Sequence, residues 1–203
     1  MIQTPSKIVC VGRNYVEHAK ELGNEVPVEP LIFLKPPSSL IGDGDSIVLP
    51  TAFSSHVEFE GEIGLVIGTT LKNASESDAV LGIAGLVALN DVTARDLQKK
   101  DSQWSRAKGF DTFCCVGEMR AGSFDPRGIE VVTRVNGKER QHAFSSEMVF
   151  SIPFLVSYIS RIMTLMPGDL IATGTPAGVG PLVSGDDVEI ELVGISRVKN
   201  RVA

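Results

Sequence analysis

Residues Glu58-Phe-Glu60-Gly-Glu62 run without a break into Ile63-Gly-Leu-Val-Ile67. In an extended strand alternate side chains share a face, so Glu58, Glu60 and Glu62 would point the same way. The apolar half of the run is suited to a core. A fold that accepts this stretch has two options. It can leave the acidic half on an exposed, charged edge strand, which discourages aggregation. Or it can supply a counter-charge to carboxylates that enter the interior in file. A hard divalent cation, which prefers oxygen ligands, would serve. Gly61 leaves room for close backbone approach between two of the acids.

The rest of the chain is rich in short Val, Ile and Leu runs. Residues 7–11, 31–34, 63–67, 85–89, 129–135, 169–172 and 188–193 all read as strands. Asn136-Gly137 marks a hairpin, because both central positions of a type I′ turn need positive φ. Helical segments are fewer. Residues 14–22 would begin at an Asn14 cap and stop at Gly23, residues 93–100 form a second, and residues 153–163 a third, capped by Ser151. Strands and helices do not alternate, so a doubly wound sheet is not expected. The expectation is a β-rich α+β fold around a rolled or barrel-like mixed sheet with few short helices. The 203 residues suffice for one domain. Residues 1–203 are therefore read as a single catalytic domain. The first 30 or so residues are an expected mobile appendage, and about 14–26 a lid, since 23–30 are polar and breaker-rich.

A net charge of −6 argues against nucleic acid or an anionic membrane as partner, while leaving room for a small anionic substrate. No apolar run approaches the roughly 20 residues of a transmembrane helix, and the first residues do not resemble a secretory signal. Cys10, Cys114 and Cys115 are too few and too oddly placed for a disulfide framework or a zinc site. A cytoplasmic protein with reduced, buried thiols is expected.

Other polar residues fall at the ends of strand-like runs. Asp91 closes the run 85–89 and suits either a metal ligand or a helix N-cap. Arg13 and Lys35 each follow a strand and could meet a carboxylate or balance metal-bound charge; a solvated surface position fits them as well. His18 and Glu21, three apart on a helix, can touch, so Glu21 could orient a basic imidazole. Lys108 lies among apolar neighbours. Thr173-Gly-Thr175-Pro-Ala-Gly178-Val-Gly180 is a Gly-rich turn able to take an anion, though it is neither a P-loop nor GxGxxG.

In this order the motifs resemble the fumarylacetoacetate hydrolase family, in particular its short acylpyruvase branch. They are Val11-Gly-Arg-Asn-Tyr15 with His18, Phe33-Leu-Lys35-Pro36, Glu60-Gly-Glu62, Asn90-Asp91-Val-Thr-Ala-Arg95-Asp96, Lys108-Gly-Phe-Asp111 and Thr173 to Gly180. The resemblance runs from about residue 7 to the C-terminus. It implies a mixed β-roll, a homodimer, and Mg²⁺ or Mn²⁺ held by Glu60, Glu62 and Asp91. It further implies that His18 and Glu21 act on water, that Lys108 and Thr175 bind substrate, and that Arg13, Lys35 and Gln98 line the site. The implied reaction is hydrolysis of acylpyruvates to release pyruvate. Oxaloacetate decarboxylation, oxaloacetate keto–enol tautomerisation and isomerisation of a ring-opened catechol product are the alternatives. Relatives of this branch commonly carry His-His before the first metal Glu. Here Glu58-Phe59 stands in that place and adds negative charge.

Overall fold

The computed structural model describes residues 4–203. An eight-stranded mixed sheet dominates it. Its main path runs through strands Leu31–Lys35, Ile8–Gly12, Leu170–Ala172, Gly61–Ile67, Ile83–Asp91, Cys114–Val116 and Leu40–Ile41, and Arg120–Ala121 adds to Ile83–Asp91. The two terminal strands of this path are joined by residues 36–39 alone, partly a 3₁₀ turn at Pro37–Ser39. So short a link keeps the two edges close, and the sheet curls towards closure.

Ile8, Cys10, Val66, Val87, Leu89, Cys114, Val116, Leu170 and Ala172 pack together on one face of the curled sheet. The larger core lies against its other face, shared with a five-stranded sheet in the order Lys138–Phe144, Glu130–Val135, Asp187–Leu192, Ser196–Val202 and Ser46–Ile47. Covered on both faces, Gly61–Ile67 is buried at every residue, which explains its near-continuous apolar composition. Helix Ile152–Ile162 contributes Ile152, Leu155, Val156 and Ile159 to the larger core.

Most expected elements are present. Asn136 and Gly137 have φ of 51° and 75° and join Glu130–Val135 to Lys138–Phe144, as a type I′ hairpin demands. Ser151 caps helix Ile152–Ile162 by accepting the Phe154 N–H. All three cysteines are free and buried. No helix among the described residues is long and apolar enough to cross a membrane.

Three expectations need correction. The run 58–62 is not one strand. Val57–Phe59 pairs with Thr93–Ala94 and Gly180–Pro181 in a separate three-stranded sheet, and the chain enters the large sheet only at Gly61. Glu58 therefore belongs to a different sheet from Glu62. Residues 4–30 are not an appendage either, residues 1–3 lying outside the described ones: Ile8–Gly12 is an interior strand with Ile8, Val9 and Cys10 fully buried. The short helix Val16–Glu21 and the loop to residue 30 lie between the strands Ile8–Gly12 and Leu31–Lys35 in the chain, with His18 and Ala19 buried. Finally, Asn14 does not cap that helix. Tyr15 occupies the cap position, and the Asn14 amide donates to the Phe150 and Thr173 carbonyls while accepting the Phe150 N–H.

Candidate active site

Glu60, Glu62 and Asp91 converge at adjacent ends of antiparallel strands, where Gly61 lies opposite Asn90. Each offers a carboxylate oxygen, all within 4.8 Å of one another. All three are buried, Asp91 completely. The N-cap alternative for Asp91 falls away, since helix Arg95–Lys100 starts later and is capped at Ala94. The space at Gly61 is filled from the five-stranded sheet. A β-carbon there would lie 1.9 Å from Thr133 Oγ1, so the side chain is absent to admit a neighbouring sheet.

Cations of the chain surround the triad. Lys108 Nζ donates to Glu60 Oε2 and Asp91 Oδ2, each at 2.7 Å. Lys35 Nζ donates to Asp91 Oδ1 at 2.6 Å and to the Val92 carbonyl at 3.2 Å. Both lysines are about as buried as core leucines, at 1% exposure, so neither is a solvated surface group. Arg95 Nη2 donates to Glu60 Oε1 at 2.6 Å, Nε to Glu58 Oε2 at 2.7 Å, and Nη1 to Gln98 Oε1. Glu58 thus does not join the metal group. Its charge is met by Arg95, and His56 Nε2 lies 2.8 Å from its other oxygen.

The carboxylates titrate differently as a result. Burial pushes Glu60 up, but Lys108, Arg95 and His18 outweigh it and hold Glu60 well below the usual carboxylate range. Burial, then the charges of Asp91 and Glu60, push Glu62 well above that range, against the pull of Lys108 and the Gly174 N–H. That N–H, at 2.7 Å, is the hydrogen bond Glu62 receives. Burial would discharge Lys108, but Asp91 and Glu60 keep it an ammonium.

The site presents four buried carboxylates, Glu58, Glu60, Glu62 and Asp91, against three buried cations, Lys35, Arg95 and Lys108. Glu60, Glu62 and Asp91 form an all-oxygen donor set of the kind that suits Mg²⁺ or Mn²⁺.

Above the triad lies a small cavity of about 40 Å³, lined by Gly12, Arg13, His18, Leu22, Phe33, Glu60, Arg95, Gln98, Trp104, Lys108 and Thr175 among others. Its lining brings together most residues singled out from the sequence; Glu62 and Asp91 adjoin Glu60, Lys35 bonds Asp91, and Glu21 lies against His18. His18 Nδ1 lies 3.3 Å from Glu21 Oε2. Burial lowers the His18 pKa despite the opposing charge of Glu60 and the bond to Glu21. An ordinary histidine titrates near 6.5, so His18 is neutral at pH 7. Glu21 also accepts the Gly178 N–H at 3.1 Å, tying the helix to the Gly-rich loop.

Two residues of this site had no role assigned to them from sequence. Arg95 was visible only as part of a motif. Gln141 gave no local signal. It accepts the Gly61 N–H at 3.0 Å and donates to Thr175 Oγ1 and the Pro176 carbonyl, both at 2.7 Å. Thr175 Oγ1 in turn donates to the Gly61 carbonyl at 2.9 Å. Gln141 and Thr175 so fix the strand segment between the two glutamates.

Residues 7–203 match the family described as fumarylacetoacetate (FAA) hydrolase C-terminal, and the chain belongs to this family. It is 44% identical to the Arabidopsis thaliana mitochondrial oxaloacetate tautomerase FAHD1, across 98% of this chain and 92% of that protein. A crystal structure of 5-carboxymethyl-2-hydroxymuconate delta-isomerase from Mycobacterium smegmatis superposes with a TM-score of 0.91 at 46% identity, over 98% and 79% of the two chains. Fumarylpyruvate hydrolase from Pseudomonas aeruginosa, solved with Mn²⁺ and pyruvate, gives 0.92 at 28% identity over 98% and 90%. Members of the family are enzymes, and the named ones include tautomerases, isomerases and hydrolases.

Proposed function

We propose that this protein catalyses keto–enol proton transfer on a small 2-oxo acid, with oxaloacetate the favoured substrate. The observation that carries this is a buried His18, braced by Glu21, in the cavity that Glu60 and Lys108 also line. When bound on Glu60, Glu62 and Asp91, Mg²⁺ or Mn²⁺ supplies Lewis acidity that lowers the cost of forming an enolate from a 2-oxo acid. His18 accepts a proton from C3 of the keto form and returns it to the carbon or oxygen of the enolate. Glu21 stabilises the imidazolium while it lasts. Lys108, kept charged, faces the developing negative oxygen. Thr175, pinned to the ligand strand through Gln141, sets the loop against which the substrate carboxylate rests.

Helix Val16–Glu21 brings His18 to the wall of this cavity. Helix and loop 14–26 acting as a lid belong to the proposal, as does a homodimer. Light scattering at twice the chain mass would support the dimer, and unchanged hydrogen exchange in residues 14–26 on adding ligand would remove the lid.

Acylpyruvate hydrolysis, first among the expectations from sequence, is the second reading. The likeness to fumarylpyruvate hydrolase favours it, and the same His18 would then deprotonate water. The deciding experiment follows enol–keto exchange of oxaloacetate by ultraviolet absorbance, with Mg²⁺, Mn²⁺ or EDTA. Pyruvate release from fumarylpyruvate, acetylpyruvate and oxaloacetate is measured beside it. Metal-dependent exchange without pyruvate release supports the tautomerase. Metal-dependent release from the acylpyruvates makes it a hydrolase, and release from oxaloacetate alone a decarboxylase.

A further inference from the structure

Glu60 is the one member of the triad outside both sheets. Val57–Phe59 ends just before it and Gly61–Ile67 begins just after it, whereas Glu62 and Asp91 lie within strands. At such a junction the pleat of a strand does not fix where a side chain points. Cations do so instead. Lys108 Nζ donates to Glu60 Oε2 at 2.7 Å and Arg95 Nη2 to Oε1 at 2.6 Å.

Arg95 is itself held from the small sheet. Its backbone N–H donates to the His56 carbonyl at 2.7 Å, next to the pairing of Val57 with Ala94 and Glu58 with Thr93. Its Nε donates to Glu58 Oε2 at 2.7 Å and its Nη1 to Gln98 Oε1. A guanidinium is planar and rigid, so fixing Nε on one carboxylate fixes the direction in which Nη2 points. Glu58 and Gln98 therefore aim the N–H group that meets Glu60.

Glu58 is otherwise apart from the site. It is outside the group of carboxylates that could share an ion, and it does not line the cavity. Its remaining oxygen lies 2.8 Å from Nε2 of the exposed His56. A buried carboxylate is costly unless it answers a charge, and the buried charge Glu58 answers is that of Arg95. Without Glu58 the guanidinium would be left to Glu60, and would compete with a bound cation for that carboxylate.

We infer that Glu58 is a positioning residue for Glu60, acting through Arg95. It shares the charge of the guanidinium, so that Arg95 aims Glu60 at a metal without neutralising it. The inference rests on the reading of Glu60, Glu62 and Asp91 as a metal site.

The test is a titration of the metal-free protein with Mn²⁺, read by electron paramagnetic resonance, in Glu58→Gln, Arg95→Gln and the double variant. Glutamine at 58 keeps the size and an acceptor for Arg95 Nε but removes the charge. In Glu58→Gln the Kd for Mn²⁺ is expected to rise roughly 10-fold, the worth of one charge-assisted hydrogen bond. In the Arg95→Gln background the same replacement should change Kd by less than about twofold, because the residue it acts through is gone. An unchanged Kd in Glu58→Gln, or an equal loss with and without Arg95, would overturn the assignment. Circular dichroism in EDTA reports whether each variant folds. Should Glu58→Gln not fold, Glu58→Asp takes its place in both backgrounds, with a smaller loss that must likewise vanish without Arg95. Failure of the underlying metal reading looks different: the unaltered protein would then bind no Mn²⁺.

Discussion

Asp169 and Glu62 are buried carboxylates at opposite ends of one strand. Asp169 immediately precedes Leu170–Ala172, and Glu62 meets the Gly174 N–H just beyond it. Asp169 is saturated with donors. It accepts from the Ser6 N–H and hydroxyl, the Lys7 N–H and ammonium, and the Met166 N–H. Glu62 receives one N–H and faces two other carboxylates. Burial raises both, but at Asp169 the bonds from Lys7, Ser6 and Met166 prevail and lower its pKa, while at Glu62 the neighbouring acids add to the rise. Between these two carboxylates the difference is therefore the supply of donors, not the depth of burial. Asp169 fixes the start of the chain to the sheet. Glu62 is a local electrostatic liability that a bound cation would relieve.

The largest expected effect comes from swapping the charge at each end. Glu62→Gln should lower metal-dependent turnover by about 10³-fold or more, on the scale of a lost Lewis acid. Its melting temperature in EDTA should stay level or rise, because a repelled acid has been removed. Asp169→Asn should do the reverse. Turnover per folded molecule stays within about twofold, while stability falls by about 2 kcal/mol for lost bonds to a charged group. For a chain of this size that is a drop of about 4–8 °C. If both variants lose activity and stability alike, the distinction between the two ends fails.

Next in size is the base above the triad. His18→Ala should reduce kcat by about 10²- to 10⁴-fold, and Glu21→Gln by less, with little change in metal affinity for either. A large loss of metal affinity in His18→Ala would mean that His18 belongs to the metal group.

Two pH effects sharpen the contrast. Metal must displace the proton from Glu62, whose pKa is raised, so affinity for Mn²⁺ should increase from pH 6 to pH 8, by up to about tenfold per unit. Calorimetry in two buffers of different ionisation enthalpy would count the released proton. Asp169 has the opposite sign. A carboxyl depressed in the fold contributes stability above its unfolded pKa of about 3.9 and loses it as pH falls through the lower folded value. The melting-temperature gap between the unaltered protein and Asp169→Asn should thus hold from pH 5 upward and shrink below about pH 3.9. A gap that widens on acidification would contradict the assignment.

The sequence made some of this legible and not the rest, for reasons of range. The Asn136-Gly137 turn, the Ser151 cap and the apolar runs are local signals, and the structure has them where local chemistry puts them. Strand Ser196–Val202 went unread because its outward residues are Arg197, Lys199 and Arg201, which mask the buried alternation of Ser196, Val198, Asn200 and Val202. The near-closure of the large sheet follows from pairings between distant segments, such as Ile8 with Leu170, which no window of sequence contains. Within the site, Glu60, Glu62 and Asp91 were visible through spacing and motif. The residues that hold them were not. Arg95 reaches Glu58 and Glu60 from 37 and 35 residues away, and Gln141 reaches Gly61 from 80. Glu58 read as sharing a face with Glu60 and Glu62 because the change of sheet at Glu60 cannot be seen in a run of alternating glutamates.

The most direct test of the central claim is an Mn²⁺ titration of the metal-free protein, read by electron paramagnetic resonance, beside Glu62→Gln and Asp169→Asn. The expected result is one ion per chain in the unaltered protein and in Asp169→Asn, and loss of that ion in Glu62→Gln. Binding in Glu62→Gln as tight as in the unaltered protein, or none in the unaltered protein, would contradict the claim that Glu62, the carboxylate of the triad poorest in donors, is held in the site for a metal.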